Sequence, residues 1–185
     1  AWTETNGSEG VAYCGTVSGD GSVEPPITVA TGLAGTEADV GSVAPLVYLP
    51  ETEEVVVVWR RADGLLAERR FGADGTATRE AVISERTVTQ NAVDSDQVGA
   101  DLIELDGRLH LLFLDQETGS IYHAQSAAAG GWYVAEPVVE GIRGQWVRGQ
   151  PVVRPDGRIV YGFVYDAGSD GGSGMNSYGE VDPGT

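Results

Sequence analysis

The sequence predicts an all-β protein, namely a β-propeller with four-stranded antiparallel blades, of which this chain supplies about three to three and a half. Short strands with alternating apolar residues follow one another, separated by Asp-Gly and Gly-Gly turns. Three sequence markers recur at intervals of 50 to 57 residues. The runs Val55–Val58 and Leu111–Leu114 are apolar throughout, which predicts strands that are covered on both faces, as in stacked blades.

The repeat is clearest in Leu109–Gln125, which reads as two strands joined by a Gly-containing turn. Similar positions recur before and after it, and a fixed period of this size indicates a repeat architecture. The markers are an aromatic residue that ends a strand (Trp2, Trp59, Phe113 and Phe163), a turn glycine (Gly21, Gly75 and Gly130) and an Asp-Gly-Arg turn (Asp106–Arg108 and Asp156–Arg158). A β-sandwich is the structural alternative.

The markers divide residues 1–185 into pieces of one partial propeller. Residues 1–41 are expected to form the outer strands of a blade, 42–95 and 96–144 two blades, and 145–185 the inner strands of another. Propellers usually close with about 4–8 blades, and open sheet edges invite pairing. We therefore expect a second chain, which would make a hetero-oligomer, or a second copy to complete the propeller.

The composition is strongly acidic, with a net charge of −17 from 28 acidic and 11 basic residues, all of them Arg. Such a surface repels phosphate backbones, which argues against nucleic acid as a partner. The sequence contains no apolar run of the roughly 18 residues that a membrane span needs. Acidity favours Ca²⁺ binding, or it serves solubility alone.

Cys14 is the single cysteine, so its thiol is either buried and free or forms a disulfide bond with another chain. It has no adjacent His, and we do not expect it to act as a nucleophile. The sequence begins in the middle of a repeat, at Ala1 and Trp2, which is what we expect of a chain produced by proteolytic processing. We expect a secreted, cell-surface or periplasmic protein.

The loops that enter the first strand of each blade are predicted to lie on one face, where propellers bind ligands. These loops are Glu37–Gly41, Ser95–Gly99 and Gln145–Gly149. An aromatic platform with charged hydrogen-bonding groups suits a sugar. The candidate ligand-binding residues are Asp39, Asp96, Trp146 and Arg148. Alternatively, Trp146 packs against a neighbouring blade and Arg148 forms an ion pair.

An acidic, Gly-rich segment, Asp166–Gly174, is the candidate metal site. Asp166 and Asp170, together with backbone carbonyls, would offer the oxygen ligands that Ca²⁺ prefers. Ca²⁺ is the one cofactor expected, and the alternative is a polar loop without a metal.

Two histidines, His110 and His123, fall on adjacent strands of one predicted hairpin. A pair without a third ligand does not make a zinc site, so we expect them to be structural. The arginine pairs Arg60–Arg61 and Arg69–Arg70 are expected to bind neighbouring carboxylates; an anion pocket is the alternative. No P-loop, dinucleotide-binding or Gly-x-Ser-x-Gly motif occurs.

The segment from Ser126 to Trp132 resembles the Ser-x-Asp-x-Gly-x-x-Trp turn of sialidase-like Asp-box (BNR-repeat) propellers. Ser126, Gly130 and Trp132 match, whereas Ala128 replaces the Asp and the turn is one residue shorter. The Asp-Gly pairs at Asp20-Gly21 and Asp74-Gly75 keep part of the motif without the Trp.

This resemblance implies a propeller fold and a superfamily that includes sialidases, polysaccharide lyases and glycan-binding modules. The family's Phe/Tyr-Arg-Ile-Pro motif is missing, which argues against sialidase activity. Tyr178 and Glu180 would share a strand face, as a Tyr–Glu pair requires, and Tyr178 joins the ligand-binding candidates.

Two functions are consistent with these features. The first is a secreted propeller module or subunit that binds a glycan or a protein partner on its loop face. The second is a subunit of a carbohydrate-active hydrolase or lyase completed by a second chain. No catalytic residue can be assigned from the sequence.

Overall fold

The computed structural model describes residues 1–6, 9–34, 45–88, 99–128, 130–142, 144–147, 151–166 and 174–184. All regular secondary structure in these ranges is β. The strands form antiparallel sheets that follow one another along the chain. The described residues include no helix that could span a membrane.

Sheets 1 and 2 are meanders in which each strand pairs with the next one in the sequence. Sheet 1 has three strands: β1 (Trp2–Asn6), β2 (Glu9–Cys14) and β3 (Ile27–Ala34). Sheet 2 has four: β4 (Leu46–Leu49), β5 (Glu54–Arg60), β6 (Leu65–Phe71) and β7 (Ala77–Thr87).

Sheets 3 and 4 continue the series. Sheet 3 contains β8 (Ala100–Leu105), β9 (Arg108–Leu114), β10 (Ile121–Gln125) and β11 (Glu136–Val139). Sheet 4 contains β12 (Gly144–Val147), β13 (Val152–Val153), β14 (Ile159–Asp166) and β15 (Gly174–Val181). Because β15 pairs along the whole of β14, the short strands β12 and β13 share the other edge of β14 and act as one interrupted first strand.

The pairing register repeats from sheet to sheet. The marker aromatics Trp2, Trp59 and Phe113 lie opposite Tyr13, Ala67 and Tyr122, and Phe163 lies opposite Ser177. The residue after each of these partners therefore occupies an equivalent place, which we call the third-strand position. It is occupied by Cys14, Glu68, His123 and Tyr178.

The turn glycines also repeat in conformation. Gly21, Gly75 and Gly130 have φ values of 85°, 76° and 88°, and the N–H of each donates to the carbonyl three residues earlier. The Asp-Gly-Arg turns differ from each other, because Asp106 has a φ of 52° whereas the second turn is closed by the Gly157 N–H donating to the Arg154 carbonyl.

Successive sheets pack face to face through apolar clusters. One cluster joins sheets 1 and 2 around Trp59, another joins sheets 2 and 3 around Phe113, and a third joins sheets 3 and 4 around Tyr161. The central strands β5 and β9 are consequently buried on both faces, as their apolar runs predicted. Meandering sheets stacked in chain order are the blades of a propeller and not the two layers of a sandwich, so the predicted fold is confirmed.

One predicted loop is a strand. The segment Gln145–Gly149 was expected to enter the last blade as an irregular loop, but Gly144–Val147 forms β12 and pairs with β14. The backbone of Trp146 lies opposite Val164 in that pairing. The hydrogen bonds of a first strand outweigh the weak strand signal of this Gly- and Gln-containing sequence.

Candidate functional site

The first strands of sheets 2, 3 and 4 lie side by side. β8 contacts β4 on one side and β12 on the other, so these strands form the common inner edge of the stacked sheets. This is the arrangement in which propeller blades converge on their axis. Side chains at the ends of these strands are therefore the ones that can share a ligand.

We call the end where the chain enters each first strand the entry end. The loops between second and third strands also lie there, as expected. The Val88 N–H donates to the Gly64 carbonyl at 2.8 Å, and Val88 forms a β-bridge with Asp115 of the next sheet. At the start of β8, the Leu114 N–H donates to the Gly99 carbonyl at 2.8 Å.

Asp101 lies at this end, one residue into β8 and opposite Leu112 of β9. Strand alternation places it on the same face as Ile103, which packs in the cluster between sheets 3 and 4. Its Oδ2 atom is buried and has no hydrogen-bond partner among the described residues. Burial raises the pKa of the Asp101 carboxyl from 3.8 to about 7.

This environment gives Asp101 two protonation states near neutral pH. Burial removes water from the carboxyl, which disfavours the charged carboxylate and so raises its pKa. A carboxyl with a pKa near 7 can donate or accept a proton, and it can act as a general acid or base. Groups of this kind concentrate at functional sites.

Four of the seven residues predicted for a site, Asp39, Asp96, Arg148 and Asp170, lie outside the described residues. Trp146 is in β12 and Asp166 is the last residue of β14. The predicted sugar and Ca²⁺ sites therefore stay predictions. Within the described residues, no group of three or more His, Cys, Asp or Glu side chains could hold a metal ion.

Tyr178 lies within the described residues. It is 70% exposed, which is far more than a strand residue packed between two sheets would be. It lies in the middle of β15 opposite Gly162, and alternation puts it on the face of sheet 4 that points away from sheet 3. Glu180 shares that face, but its carboxylate binds Arg154 at 2.7 Å and Arg158 at 3.2 Å.

The two histidines lie on adjacent strands and contact each other, as the hairpin predicted. Nδ1 of His110 lies 3.0 Å from Nε2 of His123, and the rings stack with 1° between their planes. Burial lowers the pKa of each imidazole from 6.5 to about 4, and the neighbouring ring and Arg108 add to the effect at His110. Both rings are therefore neutral at physiological pH.

Three of the four arginines that were predicted to bind carboxylates do so, and the fourth, Arg60, donates from Nε to the Val88 carbonyl at 2.8 Å. Arg61 binds Asp63 at 2.8 Å, and Arg69 forms an ion pair with Glu80. Arg70 lies 3.3 Å from the buried Glu68. Cys14 is a buried free thiol.

Two surface grooves offer further room for ligands. A groove of about 760 Å³ runs between β7 and residues 132–135, beside the exposed Tyr133 and Val134. A smaller groove of about 410 Å³ lies at the opposite end from Asp101 and is lined by His110, Arg108 and Asp156. Neither groove contains any of the residues that the sequence singled out for a ligand.

Sequence reasoning missed Asp101. The segment Asp101–Leu105 reads as an ordinary half-buried strand, and a single Asp at its start is typical of an exposed position. The only available signal was its place directly after the predicted entry loop Ser95–Gly99. Its burial comes from the packing of sheet 3 against sheet 4, which a single sequence does not reveal.

No protein-family model matches the chain, and no curated protein does. Among solved structures, a bifunctional GH43-CE protein from Bacteroides eggerthii is 14% identical, with a TM-score of 0.49 over 92% of this chain and 21% of that chain. A thermostable family-43 glycoside hydrolase is 11% identical, with a TM-score of 0.47 over 99% of this chain and 72% of that chain. The chain thus spans about a fifth of the bifunctional protein. Similarity at this level says nothing of activity.

Proposed function

We propose that the chain is part of a propeller that binds a carbohydrate at its entry end, with Asp101 in direct contact with the sugar. The observation that carries this proposal is the carboxyl of Asp101, whose Oδ2 is unpaired among the described residues at the inner edge of the sheets. Buried polar atoms are normally hydrogen-bonded, so an unpaired one favours a bound ligand as its partner.

The chemistry of Asp101 suits a hydroxyl group. Its carboxyl is about half protonated near neutral pH, so it can accept a hydrogen bond in one state and donate one in the other. A sugar hydroxyl can take either role. A nucleic-acid phosphate, which only accepts and carries negative charge, is a poorer ligand for a chain with a net charge of −17.

Residues of the neighbouring blade would complete the site. Val147 pairs with Phe163 as Ala100 pairs with Phe113, so Arg148 follows Val147 in the sequence as Asp101 follows Ala100. Arg148 would supply a charged hydrogen-bond donor and Trp146 an apolar platform. Asp39 and Asp96 belong to the other entry segments and remain candidates for the same ligand.

The remaining predictions belong to the same proposal. A second chain or a second copy would supply further blades, and the protein would work outside the cytoplasm. Asp166 and Asp170 would bind Ca²⁺. The partial Asp-box turn at Ser126–Trp132 favours a glycan-binding relative of the sialidase-like propellers over a sialidase, since the Phe/Tyr-Arg-Ile-Pro motif is missing.

The test is calorimetric titration of the chain with a panel of neutral and acidic oligosaccharides. Asp101→Ala should weaken binding about tenfold or more, because it removes the polar group that contacts the sugar. Asp106→Asn is the matched control: it changes an exposed Asp of the same hairpin at the opposite end. Equal binding by the Asp101→Ala variant and the unchanged chain would contradict the proposal.

The raised pKa of Asp101 favours a second candidate, a subunit of a carbohydrate-active hydrolase or lyase in which Asp101 is the proton donor. Asp101→Asn separates the two functions, because an amide still forms hydrogen bonds but cannot transfer the proton. If the unchanged chain cleaves oligosaccharides and the variant binds sugar without cleaving it, the result supports the hydrolase or lyase. Binding without cleavage by the unchanged chain supports the binding module.

A further inference from the structure

The groove of about 760 Å³ lies on the outer side of the contact between sheets 2 and 3. Its walls are β7, which is the strand of sheet 2 farthest from the inner edge, and residues 132–135, which lead from β10 into β11. We call it the rim groove. Both sheets contain four strands, so the groove lies between two whole blades. Its volume is within the range of about 300–1,000 Å³ that is typical of small-molecule sites.

The floor of the rim groove is apolar and well supported. Ile83 of β7, Trp132 and Ala135 line the groove and pack against the cluster between sheets 2 and 3. The Tyr133 N–H donates to the Gln125 carbonyl at 2.9 Å, which holds this segment against β10. The Tyr133 side chain also lines the groove and is 53% exposed. Two neighbouring aromatic side chains therefore border the space that a ligand would occupy.

The indole of Trp132 lacks a hydrogen-bond partner. Its Nε1 atom is buried, yet no described residue accepts a hydrogen bond from it. An indole N–H can only donate, and a buried one normally finds an acceptor. A ligand in the groove that Trp132 lines is a source of the missing acceptor oxygen. The rim groove thus combines aromatic surface with an unused hydrogen-bond donor.

The charges at the rim groove disfavour an anionic ligand. Glu85 and Glu117 line it, both are exposed, and neither forms an ion pair among the described residues. Arg86 lines it too, but its Nη1 lies 3.6 Å from Asp115 Oδ2 and its guanidinium lies 4.0 Å from the centre of the Tyr122 ring. Ionised carboxylates only accept hydrogen bonds, so ligand hydroxyl groups suit them.

An uncharged sugar meets all of these requirements. A sugar ring has an apolar face that stacks on an aromatic side chain, hydroxyl groups that donate to carboxylates, and oxygens that accept from an N–H. Proline-rich peptides also bind aromatic grooves, but their backbone offers mainly carbonyl acceptors, which cannot bond to Glu85 and Glu117. The combination of donors and acceptors therefore favours a carbohydrate over such a peptide.

We propose that the rim groove is a second carbohydrate site, which binds a neutral oligosaccharide across Trp132 and Tyr133. Its hydroxyl groups donate to Glu85 and Glu117, and one of its oxygens accepts from Trp132 Nε1. This site goes beyond the proposed function, because none of its contacts involves Asp101. Two separate sites on one chain would increase its avidity for a polymeric glycan that reaches both.

Nuclear magnetic resonance of the isotope-labelled chain tests the site at the indole N–H itself. The chain has four tryptophans, and Trp132→Phe identifies the signal of Trp132 among them. Cellotetraose, mannotetraose and xylotetraose serve as neutral probes, and tetragalacturonate serves as the acidic one. We expect the Trp132 signal to shift in a saturable way with at least one neutral tetrasaccharide and to stay in place with tetragalacturonate.

Tyr133→Ala should raise the dissociation constant read from the Trp132 signal about tenfold or more, because it removes an aromatic face that stacks on the sugar. Tyr48→Ala is the matched control, since Tyr48 of β4 is equally exposed, at 53%, but does not line the groove. Circular dichroism of both variants establishes that they fold.

A Trp132 signal that none of the neutral tetrasaccharides moves overturns the inference, and so does an equal response to tetragalacturonate or an equal loss of affinity in Tyr48→Ala. A shift caused only by a proline-rich peptide overturns it as well. The same titrations of Asp101→Ala separate the two sites, because the Trp132 shift should persist there. If Asp101→Ala changes no binding, only the proposed function fails. If Asp101 is needed for binding and the Trp132 signal never moves, only the rim groove fails.

Discussion

We call the contact between two successive sheets a seam. The seam between sheets 2 and 3 and the seam between sheets 3 and 4 share one strand register, but one contains a charged polar group and the other a neutral one. At the first seam the third-strand position holds Glu68, a charged residue bound by arginines. At the second it holds His123, a neutral ring bound to His110. The repeat therefore specifies where a polar group sits between blades but not what that group is.

The ionic seam depends on its arginines. Glu68 is fully buried, and its Oε1 atom lies 3.3 Å from Arg70 Nη2 and 3.2 Å from Arg79 Nε. Arg70 also lies 3.9 Å from Glu54. A buried charge is tolerated only when it is paired, so these contacts must form together. The neutral seam has no such requirement at physiological pH, because burial keeps both imidazoles unprotonated.

The largest effect is expected at the ionic seam. Glu68→Ala should reduce the free energy of unfolding by about 3 kcal/mol, because it leaves two half-buried arginines without their shared carboxylate. Denaturation by urea measures the change. The control is Glu80→Ala on β7, whose 54% exposed side chain pairs with Arg69 at the surface and should cost less than about 1 kcal/mol. Equal losses of unfolding free energy in the two variants would contradict the idea that burial makes the Glu68 ion pairs more important than a surface pair.

The two histidines of the neutral seam should make the stability of the protein depend on pH. The pKa of His110 and of His123 is about 4 in the folded chain against 6.5 for a free imidazole, so the unfolded chain binds protons first as the pH falls. Unfolding should therefore become easier below pH 6.5, with a loss of about 2.5 kcal/mol for the two rings together between about pH 7 and pH 5.5. Removing both rings with His110→Phe and His123→Leu should abolish this part of the slope, as the chain has no other histidine.

Asp101 provides the opposite slope and hence an internal control. Its folded pKa of about 7 exceeds the ordinary 3.8, so the unfolded chain releases this proton first as the pH rises. The carboxyl therefore destabilises the fold increasingly between pH 4 and pH 7. The stability of Asp101→Asn relative to the unchanged chain should rise over that interval. A parallel slope in the two proteins would show that Asp101 is not buried as described.

The smallest effect concerns the turn that supports the ionic seam. A Cβ atom at Gly130, where φ is 88°, would collide with the Arg79 guanidinium, whereas one at Gly131, where φ is 89°, would meet open space. Both alanine variants carry backbone strain, but Gly130→Ala must also displace Arg79 from Glu68. We expect it to be less stable than Gly131→Ala by about 1 kcal/mol. Equal stability would mean that Arg79 can move without loss.

The repeat could be predicted because its key positions accept few residue types. A turn glycine at positive φ and an apolar strand buried on both faces leave strong local signals, and Gly75 and Val55–Val58 were interpreted correctly from them. The adjacency of His110 and His123 followed from the same hairpin. Their parallel stacking did not, because it depends on the sheet that covers them.

The site was harder to predict because it depends on contacts between sheets. Asp101 has the sequence neighbourhood of an exposed strand residue and acquires its raised pKa only from burial. Trp146 was assigned to a loop because β12 is short and lies in a Gly-rich sequence, although pairing with β14 holds it in a strand. Local propensity is a weak guide wherever tertiary packing decides the outcome.

The position of Cys14 gives the chain a natural reporter. Its thiol is the only one in the sequence and lies beneath sheet 2 in the packed blades. Since just 8% of the residue is accessible, a reagent should reach the thiol mainly when the contact between sheets 1 and 2 opens. The labelling rate of the protein should therefore report opening of the contact between sheets 1 and 2, separately from unfolding of the whole molecule.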